Sequence, residues 1–102
     1  MIKVSVLYPN TPDGRFDMEY YRTRHVPLVI ERCAGAVKRG EIERGIAGAD
    51  GAEAPFCVAA HMLFDSTQSM QESFGRHVPE FIADLPNFTN IQPTLQISEL
   101  LS

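Results

Sequence analysis

Two hydrophobic periods alternate along this chain, and their order leaves few folds open to it. Residues 2–8 read as a strand: Ile2, Val4, Val6 and Tyr8 share one face, Lys3, Ser5 and Leu7 the other. Pro9-Asn10-Thr11-Pro12-Asp13-Gly14 closes it with turn formers. Residues 16–33, FDMEYYRTRHVPLVIERC, switch to helical spacing, with Met18, Tyr21, His25, Leu28 and Val29 along one stripe. Asp17 is placed to cap this helix, and Phe16 and Tyr21 have the spacing of a hydrophobic staple. Pro27 has no N–H to give, so a kink or break is expected over residues 24–26, leaving His25 at a segment end.

Gly35 marks the end of that helix, and residues 36–47 return to strand spacing. Here Lys38, Arg39, Glu41, Glu43 and Arg44 are interleaved with Val37, Ile42 and Ile46, as suits a sheet edge. The run GADGAEAP, residues 48–55, reads as a hairpin loop, and FCVAAHMLF, residues 56–64, as the central strand. A second helix begins at Asp65 or Ser66, with Gln68 as a capping-box partner of Asp65. Its stripe is Met70, Phe74, Val78, Phe81, Ile82 and Leu85, interrupted by Pro79. After the turn Pro86-Asn87-Phe88-Thr89-Asn90, residues 91–101 form a last strand, with Pro93 pointing to an edge.

The resulting order, β-α-β-β-α-β, is that of the ferredoxin-like α+β fold: a four-stranded antiparallel sheet with both helices on one face. An internal echo agrees with it. Arg24-His25-Val26-Pro27 recurs as Arg76-His77-Val78-Pro79, which places the two histidines at comparable points of two βαβ halves. The sheet face away from the helices keeps apolar side chains, Leu7 and Leu63 or their bulkier neighbours, whichever alternating set it proves to be. A two-fold homodimer that buries this face is the economical solution.

At 102 residues the chain is expected to be one domain over its whole length. A formal charge of −4 disfavours a nucleic-acid partner, whose phosphates ask for a basic patch. No apolar run reaches the length of a membrane span, and the first residues enter a strand pattern without a signal peptide, so a cytoplasmic location is expected. Cys33 and Cys57 form no CxxC pair and lie in apolar runs, which reads as two buried free thiols in a reducing compartment.

The chemistry-bearing candidates follow from this layout. His25, on the inward stripe of the first helix, is placed to act as general acid and base, or to hydrogen-bond a substrate carbonyl. Tyr20, Tyr21 and Arg24 lie near enough to line or polarise a pocket around it, and the plain alternative is a helix-end histidine bonded to a carbonyl freed by Pro27. His77 has the same local pattern, and His61 in the central strand is either a second pocket histidine or a satisfied core residue. Tyr8 ends the first strand where its hydroxyl can reach a pocket. Asp65 and Asp84 read as a helix start and a solvated helix end. The histidines lack the HxH or HxxxH spacing of a local metal site, and no glycine-rich nucleotide loop is present, so neither metal nor cofactor is expected.

Four segments together carry a family resemblance: IKVSVLYPN, FDMEYYRTRHVPLV, HMLFDS and ADLPNFTNIQP. Over nearly its whole length the chain resembles the EthD family of dimeric α/β-barrel proteins, named for a protein associated with ethyl tert-butyl ether degradation. The resemblance implies a ferredoxin-like protomer that pairs its sheet with a second copy to close a barrel. It matches His25 and the late run containing Asp84, Asn87 and Thr89 to the family pattern. The wider superfamily includes cofactor-free monooxygenases, polyketide cyclases, isomerases and decarboxylases, and the fold does not choose among them. Two readings remain: a cofactor-independent enzyme acting on a hydrophobic carbonyl or aromatic compound through His25, or a non-catalytic accessory protein that binds such a molecule.

Overall fold

The computed structural model describes residues 1–102, and its strands follow the predicted order. Strand β1 (Ile2–Pro9) and strand β3 (Phe56–Phe64) occupy the middle of one antiparallel sheet, with β2 (Arg39–Arg44) and β4 (Thr94–Glu99) at its edges in the order β2-β3-β1-β4. Register pairs Val4 with Met62 and Ile97, and Ser5 with His61 and Gln96, so alternate residues build two distinct faces. The face bearing Val4, Tyr8, Val58, Met62 and Phe64 lies beneath the helices. Lys3, Ser5, Leu7, Ala59, His61 and Leu63 occupy the other, which resolves the choice that alternation alone left open.

Both outer strands are shorter than expected. Residues 36–38 lead into β2 without joining it, every residue of which is exposed. Residues 91–93 stand apart from β4, and Ile91 is buried among Tyr8, Tyr21 and Phe88 instead of lying in a ladder. Pro93 offers no N–H for a ladder, and pairing begins directly after it.

The first helical run is continuous from 18 to 33, so the expected break is replaced by a change of pitch. It comprises α1 (Met18–Tyr20), a π turn (Tyr21–His25) and α2 (Val26–Cys33). Asp17 caps it as expected, its side chain accepting from the Tyr20 N–H, and the Phe16 and Tyr21 rings close the staple at 4.9 Å. Within the wide turn the Val26 N–H reaches back to the Tyr21 carbonyl. Pro27 then falls in the first turn of α2, where its missing N–H costs little.

The second run begins at α3 (Thr67–Ser73), passes a 3₁₀ turn (Gly75–His77), and continues as α4 (Val78–Asp84). Its cap is Ser66, whose hydroxyl accepts from the Ser69 N–H; Gln68 hydrogen-bonds to Glu72 and takes no part in a capping box with Asp65. Each histidine of the repeated Arg-His-Val-Pro motif thus ends a non-α turn just before a Val-Pro that opens an α segment.

Two further contacts tie the runs together. Arg32 donates to both carboxylate oxygens of Glu80 at 2.9 and 3.0 Å, joining α2 to α4. The residues after α4 clamp the start of the first run: the Asp17 N–H donates to the Phe88 carbonyl at 2.8 Å, and the Thr89 hydroxyl donates to the Arg15 carbonyl at 2.6 Å.

The core forms two adjoining clusters beneath the helices. One holds Val4, Val29, Cys33, Met62, Phe64, Met70, Phe74 and Phe81; the other holds Tyr8, Tyr21, Val58, Ala60, Phe88 and Ile91. Cys57 packs against the second cluster and is only partly covered, unlike Cys33. No helix is long and apolar enough to cross a membrane. Phe64, with none of its surface exposed, packs β3 against Phe74. Phe64→Ala is expected to lower the unfolding free energy by about 3–5 kcal/mol, read by chemical denaturation with unchanged slope.

Candidate active site

His25 is buried at the end of the π turn, its ring stacked on Tyr21 at 5.5 Å and resting 4.5 Å from Phe88. Its Nδ1 lies 2.8 Å from Oδ2 of Asp84, the last residue of α4. The same carboxylate accepts from the Tyr20 hydroxyl at 2.8 Å and from the Asn87 side-chain amide at 2.9 Å, both on Oδ1. Burial by itself would raise the Asp84 carboxyl. Hydrogen bonds from Asn87, His25 and Tyr20 outweigh it and hold the group below the usual carboxylate range.

An ionised carboxylate only accepts, so the imidazole hydrogen facing it must sit on Nδ1. The neutral ring therefore carries its lone pair on Nε2. No buried side-chain nitrogen or oxygen lacks a partner, and Nε2 makes no hydrogen bond within the chain, so it keeps contact with open space.

His25 also lines an apolar cavity of about 90 Å³ between the helices and the covered sheet face. Among its lining residues only His25, Tyr8 and Tyr21 bring polar side-chain atoms; Val29, Met62, Phe74, Phe81 and others supply the walls. Burial pushes the Tyr21 phenol up to about 12, an effect that hydrogen bonding from Tyr8 partly offsets. Burial raises Tyr8 further still, with Tyr21 adding to the effect. Both phenols therefore stay protonated at neutral pH, and because one hydroxyl bonds the other, the pair has one hydrogen left to give.

Tyr8, Tyr21 and His25 are thus brought together, and the other three candidates are not. Arg24 is exposed and lies over the outer face of the Tyr20 ring, 6.0 Å from its centroid. His77 is part-exposed, with its ring 6.3 Å from Phe81 and its Nδ1 3.9 Å from Glu80. His61 is on the opposite sheet face, where it bonds Ser5 at 2.9 Å and Glu43 at 3.2 Å. No three His, Cys, Asp or Glu side chains converge to hold a metal ion.

Asp84 corrects the reading of a solvated helix end: its side chain is only 14% exposed and organises the site. A signal for this was present. A carboxylate at a helix C-terminus opposes the helix dipole, and it persists there only where other groups compensate it.

A four-stranded antiparallel sheet with two helical runs on one face defines a ferredoxin-like protein of the α+β class. Among solved structures, an EthD-like protein from Ralstonia eutropha JMP134 is 39% identical, covering 99% of this chain and 92% of its own, with a TM-score of 0.89. This chain belongs to the EthD-like family. An ethyl tert-butyl ether (EthD) family protein from Bacillus halodurans C-125 shares the fold at 21% identity, with a TM-score of 0.69 and 99% of each chain covered. An Arabidopsis thaliana protein does so at 12% identity, with a TM-score of 0.63 over 100% of this chain and 97% of its own. No protein-family model and no curated protein matches the chain.

Removing Asp84 strips the acceptor from three donors, so Asp84→Ala should lower the unfolding free energy at pH 7 by about 1–3 kcal/mol. The folded carboxyl titrates below the unfolded one. Its contribution is therefore complete above the unfolded pKa and is lost as pH falls through the folded value. Denaturation curves taken at decreasing pH should show wild type converging on Asp84→Ala. Tyr21 behaves oppositely at the alkaline end: its contribution is complete below the free phenol value of 10.0 and fades as pH rises toward about 12. Tyr21→Phe should flatten that alkaline decline.

Proposed function

We propose that this chain is a small cofactor-independent enzyme that moves a proton on a hydrophobic carbonyl or aromatic compound, with His25 as acid and base. The observation that carries this reading is the 2.8 Å contact between His25 Nδ1 and Asp84, which leaves Nε2 as a lone-pair acceptor at the apolar cavity. A proton released from an acidic C–H or O–H passes to Nε2. The imidazolium so formed keeps its Nδ1–H on the Asp84 carboxylate, and Nε2 returns the proton to another atom of the same molecule. The Tyr8–Tyr21 pair, with one hydroxyl bonded to the other, keeps one neutral donor for oxygen charge that develops meanwhile. Isomerisation and aldol-type cyclisation begin with such a step, and decarboxylation ends with protonation of the carbanion that loss of carbon dioxide leaves. Arg24 and His77 lie outside this arrangement and act, if on substrate, from beyond the cavity walls.

The working unit in this proposal is a homodimer. The uncovered sheet face presents Leu7, Ala59 and Leu63 among polar neighbours, and a second copy is the partner whose matching face accounts for them. His61, with Ser5 and Glu43, then belongs to that interface instead of to the substrate.

Native mass spectrometry of freshly purified protein is expected to give twice 11.4 kDa, with a small organic mass where a ligand is retained. A mass of 11.4 kDa alone would remove the dimer. Proton NMR in deuterated water should show exchange of the α-protons of cyclohexanone or acetophenone, slowed about 100-fold or more by His25→Ala. Saturable binding of these ketones without exchange would instead make the chain a binding protein.

A further inference from the structure

We infer that Tyr20 is a positioning residue for His25: its hydroxyl, with the Asn87 amide, occupies Oδ1 of Asp84 and so presents Oδ2 to the imidazole. The inference rests on His25 acting as the base and adds the group that holds this base in place from outside the cavity.

An aspartate carboxylate turns about two single bonds, so a bond to one of its oxygens alone leaves its plane undefined. Here both oxygens are engaged. Oδ1 accepts from the Tyr20 hydroxyl at 2.8 Å and from the Asn87 amide at 2.9 Å, and Oδ2 lies 2.8 Å from His25 Nδ1. The three partners stand at the end of α1, the end of the π turn and the end of the 3₁₀ turn after α4 (Leu85–Asn87). Tilting the carboxylate plane therefore lengthens at least one of the bonds.

The two donors on Oδ1 differ in what could replace them. Asn87 is exposed, and water can take the place of its amide. Tyr20 is half-buried, with its ring stacked on Phe88 at 6.0 Å and 17° from parallel. The Arg24 guanidinium lies 6.0 Å from the centroid of the same ring. His25 rests on Phe88 too, at 4.5 Å. Tyr20 and His25 thus share two neighbours, Phe88 through their rings and Asp84 through their polar atoms. The bond to Asp84 raises the Tyr20 phenol above its ordinary value, so the hydroxyl keeps the hydrogen it donates.

Tyr20 does not line the cavity, so its effect on a bound molecule passes through Asp84 and His25. A base that takes a proton on one nitrogen needs the other held in a fixed direction, because small misplacements of a reacting atom are costly. Loss of the Tyr20 hydroxyl frees the carboxylate to tilt and leaves the cavity walls unchanged. The cost falls on the proton-transfer step and not on affinity.

Tyr20→Phe removes the hydroxyl and keeps the ring that stacks on Phe88. Arg32→Ala is the control, since it breaks the contact with Glu80 between the same helical runs and leaves Asp84 untouched. In cyclohexanone α-proton exchange, Tyr20→Phe should lower kcat about tenfold with KM within about twofold of wild type, and Asn87→Ala should lower kcat less. The His25 Nδ1–H, followed by NMR of ¹⁵N-labelled protein, should exchange with water about tenfold faster or more in Tyr20→Phe, and at the wild-type rate in Arg32→Ala. An unchanged Nδ1–H in Tyr20→Phe, or equal acceleration in Arg32→Ala, would overturn the positioning role. A raised KM with kcat intact would place Tyr20 on the substrate and overturn it as well. Absence of ketone exchange in wild type, with the Nδ1–H response as expected, would overturn His25 as base while upholding Tyr20 as the residue that positions its ring.

Discussion

The carboxylate of Asp84 accepts from Tyr20, His25 and Asn87, and through these bonds it determines how the two helical runs meet above the sheet. Tyr20 and His25 come from the first run, while Asp84 and Asn87 end the second. Three donors on one carboxylate offset both its partial burial and its unfavourable place at the end of a helix. The exposed Arg32–Glu80 pair joins the same runs, but water and salt screen it. The arrangement around Asp84 is partly shielded from both and defines one geometry for the His25 ring.

The π turn supplies the other half of that geometry. With Pro27 two residues after His25, the helix has to accommodate a missing donor, and it does so in a wide turn that keeps Tyr21 and His25 stacked on the inward side. The corresponding proline of the second run is accommodated by a tighter 3₁₀ turn, which leaves His77 part-exposed beside Glu80. Two copies of one tetrapeptide therefore reach different ends. The first meets the aromatic cluster of Phe16, Tyr8 and Phe88 and is buried; the second faces outward at the end of the helical layer. Local sequence sets the turn-before-proline pattern in both, and the surroundings decide which histidine has a cavity to face.

Much of the site was legible in the residues one by one. His25 and Tyr21 fall on the inward stripe at helical spacing, and Tyr8 shares a sheet face with Val4 and Val6, although alternation did not say that this face lies under the helices. Arg24 was not separable from them, because neighbours along a helix diverge in direction and only the packed structure shows it lying over the outer face of Tyr20. His61 alternates with Met62, and which of the two faced the helices was undecided until the sheet had a covered side. Asp84 was the residue most misread. Its partners Tyr20 and His25 are 64 and 59 positions away, and no local period encodes a hydrogen bond across that separation.

The sequence by itself determined the order of strands and helices, the cap at Asp17, the edge character of the charged strand and the inward stripes, because each depends on neighbours within a few residues. It also carried the family, since matching segments run through most of the chain. Tertiary structure alone decided where the outer strands stop, how the prolines are absorbed, and which side of the sheet is covered. It also decided that one carboxylate gathers donors from both runs and that His25 lines an apolar cavity. Those outcomes depend on long-range pairing, in which each contact is selected by the packing of groups distant in sequence and not by the period of the residues beside it.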